Sequence, residues 1–160
     1  MVVISLKFPI MKKLIVKIFA LLSLVAAFAG CQKDETNPEL AKVTGQWHYN
    51  NGQTGATLVD VYLVFNADSS FELYQKLGEG AFRKYTGTFA IENDVLSGKY
   101  ADGTPWAATY TVKNDGGFLY LTSNVVTEHM MRCVKKEVPA EILNHYDDDT
   151  KADASEAPVL

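Results

Sequence analysis

The side chains able to do chemistry are few and scattered. The chain has 160 residues, with two cysteines, Cys31 and Cys133, and three histidines, His48, His129 and His145. Catalysis through a nucleophile needs that group, a base and an orienting partner within hydrogen-bonding reach of one another. His48 adjoins Trp47, and His145 borders an acidic stretch. Only His129 has an interior position open to it. Its run is ambiguous in parity between Val125, Thr127, His129, Met131, Cys133 and Val126, Glu128, Met130, Arg132, Val134. A satisfied or solvated histidine is the plainer account of each. No Cys-x-x-Cys or His-x-x-x-His pair is present to hold a metal. The run Asp147-Asp148-Asp149-Thr150 lacks the glycine turn and distal glutamate of a calcium loop. Nothing points to paired carboxylates for glycoside hydrolysis. The expectation is a non-enzymatic protein without cofactor or metal.

Cys31 is different, because a hydrophobic leader delivers it. From Met11 the chain reads two lysines, a third at Lys17, and an apolar run to Ala29 broken only by Ser23. That is the basic region, apolar region and small-residue cleavage site of a secretory signal peptide, shorter than the ~20 residues a bilayer span needs. Residues 1–30 are therefore read as the leader, with Met11 as an alternative start. Phe28-Ala29-Gly30-Cys31 resembles the lipobox of bacterial lipoproteins, usually Leu-Ala-Gly-Cys, with Phe28 where leucine is usual. The resemblance implies export, acylation of Cys31 and anchoring in the outer membrane. Two or three acyl chains would hold the protein there, each buried CH₂ contributing ~0.8 kcal/mol. Gln32-Lys33-Asp34-Glu35 resembles the signal that sends some lipoproteins to the cell surface, and reads equally well as a solvated linker. Residues 31–42 are expected to form the lipidated cysteine and a flexible linker with a reach of ~35 Å.

The leader holds four of the 15 basic residues and none of the 19 acidic ones, so the remainder carries eleven bases against nineteen acids, a net charge of −8. Such a domain is a poor partner for phosphate backbones, and nucleic acid is excluded. With Cys31 acylated, Cys133 has no intramolecular partner and is expected to be buried and inert.

After Ala41 the pattern is period two, punctuated by turns. Val59, Val61, Leu63 and Phe65 share one face, and Phe71 and Leu73 resume it after Ala67-Asp68-Ser69-Ser70. Tyr85, Gly87, Phe89 and Ile91 alternate with Lys84, Thr86 and Thr88. Trp106, Ala108, Tyr110 and Val112 alternate with threonines and Lys113, and strands over Phe118–Ser123 and Val125–Lys135 close the series. About eight short strands with regular turn signals indicate an all-β protein, and sequential hairpins favour an antiparallel up-and-down barrel. The barrel is assigned to residues 43–138. Residues 139–160 are expected to hold one short helical turn and an acidic disordered tail.

Gly45-Gln46-Trp47 resembles the Gly-x-Trp signature of lipocalins, and VYLVFNADSSFELY and YTGTFAIENDVLSGKY resemble repeating phrases of bacterial lipocalin-like lipoproteins. The Thr-Asp-Tyr signature of classical lipocalins is replaced by Val112-Lys113-Asn114-Asp115. The resemblance implies a lipocalin-like barrel in which Trp47 plugs the closed end and Arg132 packs over it. Two binding sites are compatible with the alternation. One is internal, for a small apolar or amphipathic ligand among Phe89, Trp106, Tyr110 and His129. The other is an outer aromatic face of Tyr62, Tyr74, Phe118 and Tyr120 for a glycan or an outer-membrane protein, as in a structural or accessory subunit of a membrane assembly. A side-chain-filled barrel with ordinary surface tyrosines is the bland alternative to both.

Overall fold

The structure, a computed structural model, describes residues 37–126, 128–148 and 157–160. The leader, Cys31 and its flanking residues lie outside that set.

The described chain begins with helix α1 (Pro38–Val43). The Asn37 side chain accepts from the Glu39 N–H, Pro38 occupies the first turn where a missing N–H is harmless, and the Thr44 hydroxyl donates to the Leu40 carbonyl at 2.7 Å. Leu40 and Val43, three residues apart, share the helix side that packs into the core, and Val43 is fully buried. Residues 38–42, expected as flexible linker, are therefore helical: two apolar residues at helical spacing outweigh the polar ones around them.

Eight strands follow: β1 (Gly45–Asn50), β2 (Val59–Phe65), β3 (Ser70–Leu77), β4 (Phe82–Glu92), β5 (Val95–Tyr100), β6 (Tyr110–Asp115), β7 (Phe118–Ser123) and β8 (Met130–Lys135). Each pairs antiparallel with the next, and β8 returns to β1 with Val134 opposite His48 and Lys135 opposite Trp47. This is the expected closed up-and-down barrel. Its inner face carries the apolar set, including Val61, Leu63, Phe65, Phe71, Leu73, Phe89, Leu96, Leu121 and Met131. At one end the connections are tight, with Asn93 and Asp94 (φ 52° and 62°) and Gly116 and Gly117 (φ 59° and 90°) forming two-residue hairpin turns. At the other end they are longer, and they form a mouth.

Two segments expected as strand are loops at that mouth. Residues 106–109 do not continue β6: Pro105 keeps an isolated bridge to Lys99 and the Trp106 N–H donates to the Gly98 carbonyl at 3.0 Å, while β5 and β6 are joined by only two residue pairs. Residues 125, 126, 128 and 129 lie outside the ladder, and the Ser123 hydroxyl accepts from the N–H groups of Val125 and Val126, at 3.2 and 3.1 Å, where the backbone turns.

The strand β4 is long enough to serve three neighbours. Gly87 pairs with Phe71 on one side and Tyr100 on the other, and a Cβ there would lie 2.1 Å from the Lys99 carbonyl oxygen, so only glycine fits the close approach. Before that point, where β5 does not reach, residues 82–84 pair in parallel with β9 (Tyr146–Asp148). Helix α2 (Ala140–Asn144), close to the expected turn, precedes β9. The segment after Tyr146 was expected to be disordered, yet β9 is paired and residues 157–160 are packed into the barrel.

Candidate functional site

At the closed end Trp47 is buried, and its indole Nε1 donates to the Val43 carbonyl at 2.7 Å, so the plug is tied to α1. Arg132 is elsewhere. Met131 and Cys133 point inward, which sends Arg132 between them outward, exposed, with its guanidinium 3.8 Å from the Phe118 ring centre. The expected Trp47–Arg132 pair is thus corrected by strand parity, and Trp47 is closed over by α1.

The histidines do not converge. His48 lies on the outer face of β1, 2.7 Å from the Asp60 carboxylate and stacked on Tyr62 with ring centres 4.3 Å apart. His145 is exposed beside the end of α2. His129 is exposed on the loop before β8, with its N–H donated to the Val126 carbonyl, so it does not line the interior as the alternation allowed. The correction follows from the Ser123 turn at Val125 and Val126, after which β8 begins only at Met130. Cys133 is fully buried, and desolvation pushes its thiol up to about 12, which leaves it protonated and unreactive at neutral pH.

The outer aromatics form two separate patches, and neither is an open platform. Tyr62 and Tyr74 are buried beneath Val138, Ile142 and Tyr146, so α2 and β9 cover what the alternation placed on the surface. Lys84 lies 5.3 Å from the ring centres of both Tyr74 and Tyr146. Burial, and then the bond from the Tyr74 hydroxyl to Glu72, raise that hydroxyl to about 12. Phe118 and Tyr120 are half-buried under Arg132 and Lys113.

The candidate site lies in the interior. Phe89 is not part of it: its ring meets Phe65 at 5.0 Å in the filled part of the barrel. Trp106 turns inward against Phe71 and Tyr110, at 5.1 and 6.3 Å, and its indole edge lies over Gly98, whose missing side chain makes the room. Among the described residues nothing accepts from the buried Trp106 Nε1. Above this layer sits the chain's own segment 157–160. The Leu160 side chain is buried in the mouth, and its carbonyl accepts from the Tyr100 hydroxyl at 2.8 Å and the Ala107 N–H at 3.3 Å. The Val159 carbonyl accepts from the Tyr110 hydroxyl at 3.1 Å. Gln75, on the inner face of β3 and only 1% exposed, donates from Nε2 to the Ala157 carbonyl at 3.2 Å and accepts at Oε1 from the Val159 N–H at 2.8 Å. Beside the segment a cavity of about 220 Å³ remains, walled by Tyr85, Tyr100, Pro105, Ala107 and Leu160.

Desolvation raises both Tyr100 and Tyr110, so each stays a neutral hydroxyl able to donate. The arrangement can therefore hold carbonyl oxygens and an apolar side chain, which is recognition chemistry. Of the expected internal residues Trp106 and Tyr110 are present at the site, while Phe89 and His129 are not. Gln75, Tyr85, Tyr100 and the 157–160 segment were missed. Gln75 had a signal: it continues the inner alternation Phe71, Leu73, where a polar amide is out of place unless something pairs with it. No family model, curated protein or solved structure matches the chain.

Proposed function

We propose that the chain is an exported bacterial lipoprotein, anchored in the outer membrane by acylated Cys31 and facing either the cell surface or the periplasm, whose lipocalin-like barrel binds a small apolar or amphipathic ligand or a partner without catalysis. The observation that supports the binding role is the mouth: a cavity of about 220 Å³ walled by Tyr85 and Tyr100, beside a buried leucine whose segment the Tyr100 and Tyr110 hydroxyls hold. Barrels of this size either fill with side chains or enclose one small guest. Here the closed end is filled with side chains, and the mouth keeps a cavity beside the 157–160 segment. The other reading, an accessory subunit docking through an outer aromatic face, has less support because Tyr62 and Tyr74 are covered.

The test is a native mass spectrum of the full chain, purified in mild detergent after exposure to a lipid and oligosaccharide extract. Added mass that disappears in Tyr110→Ala supports the reading and weighs the ligand. A bare protein in every extract would sink it. The anchor is tested in the same spectra: acyl mass on the wild type that is missing from Cys31→Ser.

A further inference from the structure

We propose that the barrel mouth is a receptor for an extended apolar peptide, with the chain's own Ala157–Leu160 as its resident and an equivalent segment of a partner polypeptide as its ligand. The proposal rests on the reading that the mouth binds a guest, and it names the guest's chemistry. A carbonyl at one residue and an N–H two residues later, on one side of the chain, is what an extended strand presents to its neighbour. The Gln75 amide answers both groups, so one buried side chain does what an adjacent strand would do. Between them Pro158 has no N–H, and no donor there is left to satisfy. Tyr110 takes the Val159 carbonyl, Tyr100 and the Ala107 N–H take that of Leu160, and the Leu160 side chain fills the apolar seat.

A fatty acyl chain would fill the leucine seat equally well. It would leave both halves of the Gln75 amide, on the inner face of the barrel, without the partners the segment supplies, which disfavours it by about tenfold or more. The site therefore selects main chain, with a small residue, proline, a branched residue and leucine in order. Val125 and Val126, on the mouth loop after β7, are 69% and 57% exposed, an apolar surface that the resident segment leaves uncovered.

A resident on the same chain competes at an effective concentration on the order of millimolar, so binding in trans is read where the resident is weakened. The probe is a fluorescent Ala-Pro-Val-Leu peptide. The protein is the full chain carrying Val159→Asp and Leu160→Asp, and the readout is anisotropy. Saturable binding is expected, weakened about tenfold or more by adding Gln75→Leu and by N-methylating the valine of the peptide. Dodecanoate is run beside it. A variant that binds dodecanoate and not the peptide overturns the peptide inference while the ligand-binding reading stands; a variant that binds neither overturns both. If the double variant does not fold, the wild-type chain serves through the buried Leu160 methyl resonances, which should move to their solvent-exposed positions as the peptide is raised to millimolar concentration. Resonances that stay in place throughout overturn the proposal.

Discussion

Leu160→Ala separates a docked segment from an ordinary piece of core. The segment makes five hydrogen bonds to the barrel. At about 1 kcal/mol each these contribute about 5 kcal/mol. Burying Leu160 and part of Val159 adds about 3 kcal/mol. Fixing the backbone of four residues costs about 6 kcal/mol. About 2 kcal/mol remains, a docked-to-undocked ratio of about 30 to 1. Truncation to alanine removes about 2 kcal/mol of that, which brings the two states near balance. The Val159 N–H should then lose its protection from hydrogen exchange, from about thirtyfold to nearly none, read by mass spectrometry of the C-terminal peptide. Global stability in urea should fall by no more than about 2 kcal/mol, because the segment can leave while the barrel stays folded. Leu121→Ala supplies the contrast. It is equally buried on β7, where nothing can leave, and should lose about 3–5 kcal/mol. A Leu160→Ala loss as large as that of Leu121→Ala, or a Val159 N–H protected to the level of the barrel strands, would refute the docked-segment account.

Three further outcomes are expected. The Cys133 thiol should resist alkylation until the protein is unfolded. Because burial raises it from 9.0 to about 12, the neutral thiol belongs to the fold: stability from this group is complete below about pH 9 and declines as pH rises toward about 12. The urea midpoint of the wild type should thus fall faster over that window than that of Cys133→Ala. Gly98→Ala should lose about 1–3 kcal/mol, since a methyl there would lie 2.4 Å from the Trp106 indole, and adding Trp106→Leu should restore part of it. Arg132→Ala should change stability by at most about 1 kcal/mol, as befits an exposed cation on Phe118, whereas Trp47→Ala should lose about 3–5 kcal/mol; equal losses would restore the Trp47–Arg132 pair.

The barrel was legible because burial on one face writes itself into alternation. Val61, Leu63 and Phe65, or Tyr85, Phe89 and Ile91, can be assigned to the inside without coordinates. Alternation says nothing about what lies on the other face. Tyr62 and Tyr74 were placed correctly on the outside, and their covering by Ile142 and Tyr146 depends on a short helix whose path no local pattern specifies. Strand ends were lost where a single side chain redirects the backbone, as Ser123 does for Val125 and Val126. The site was half legible for the same reason. Trp106 and Tyr110 carry the inner-face parity, but their partner, Ala157–Leu160, closes a stretch rich in aspartate and alanine. Only the apolar Pro158-Val159-Leu160 sets it apart, and Gln75 on the inner face was the matching clue.

The two ends of the barrel differ in what they can be used for. The described chain begins at the closed end, where α1 is tied down by Trp47 through Val43, by Asn114 through the Lys42 carbonyl and by the Lys42 ammonium between Glu39 and Asp94. Those contacts hold Asn37, six positions after Cys31 in the sequence, at the closed end. The mouth gathers everything that can change: the weakly paired β5–β6 seam, the loop carrying Trp106, the exposed Val125 and Val126, and a segment held by only about 2 kcal/mol. A barrel secured at one end and exchanging a peptide at the other needs no rearrangement of its strands to bind. The guest segment is the one part of the described fold that can be replaced by a chemical equal.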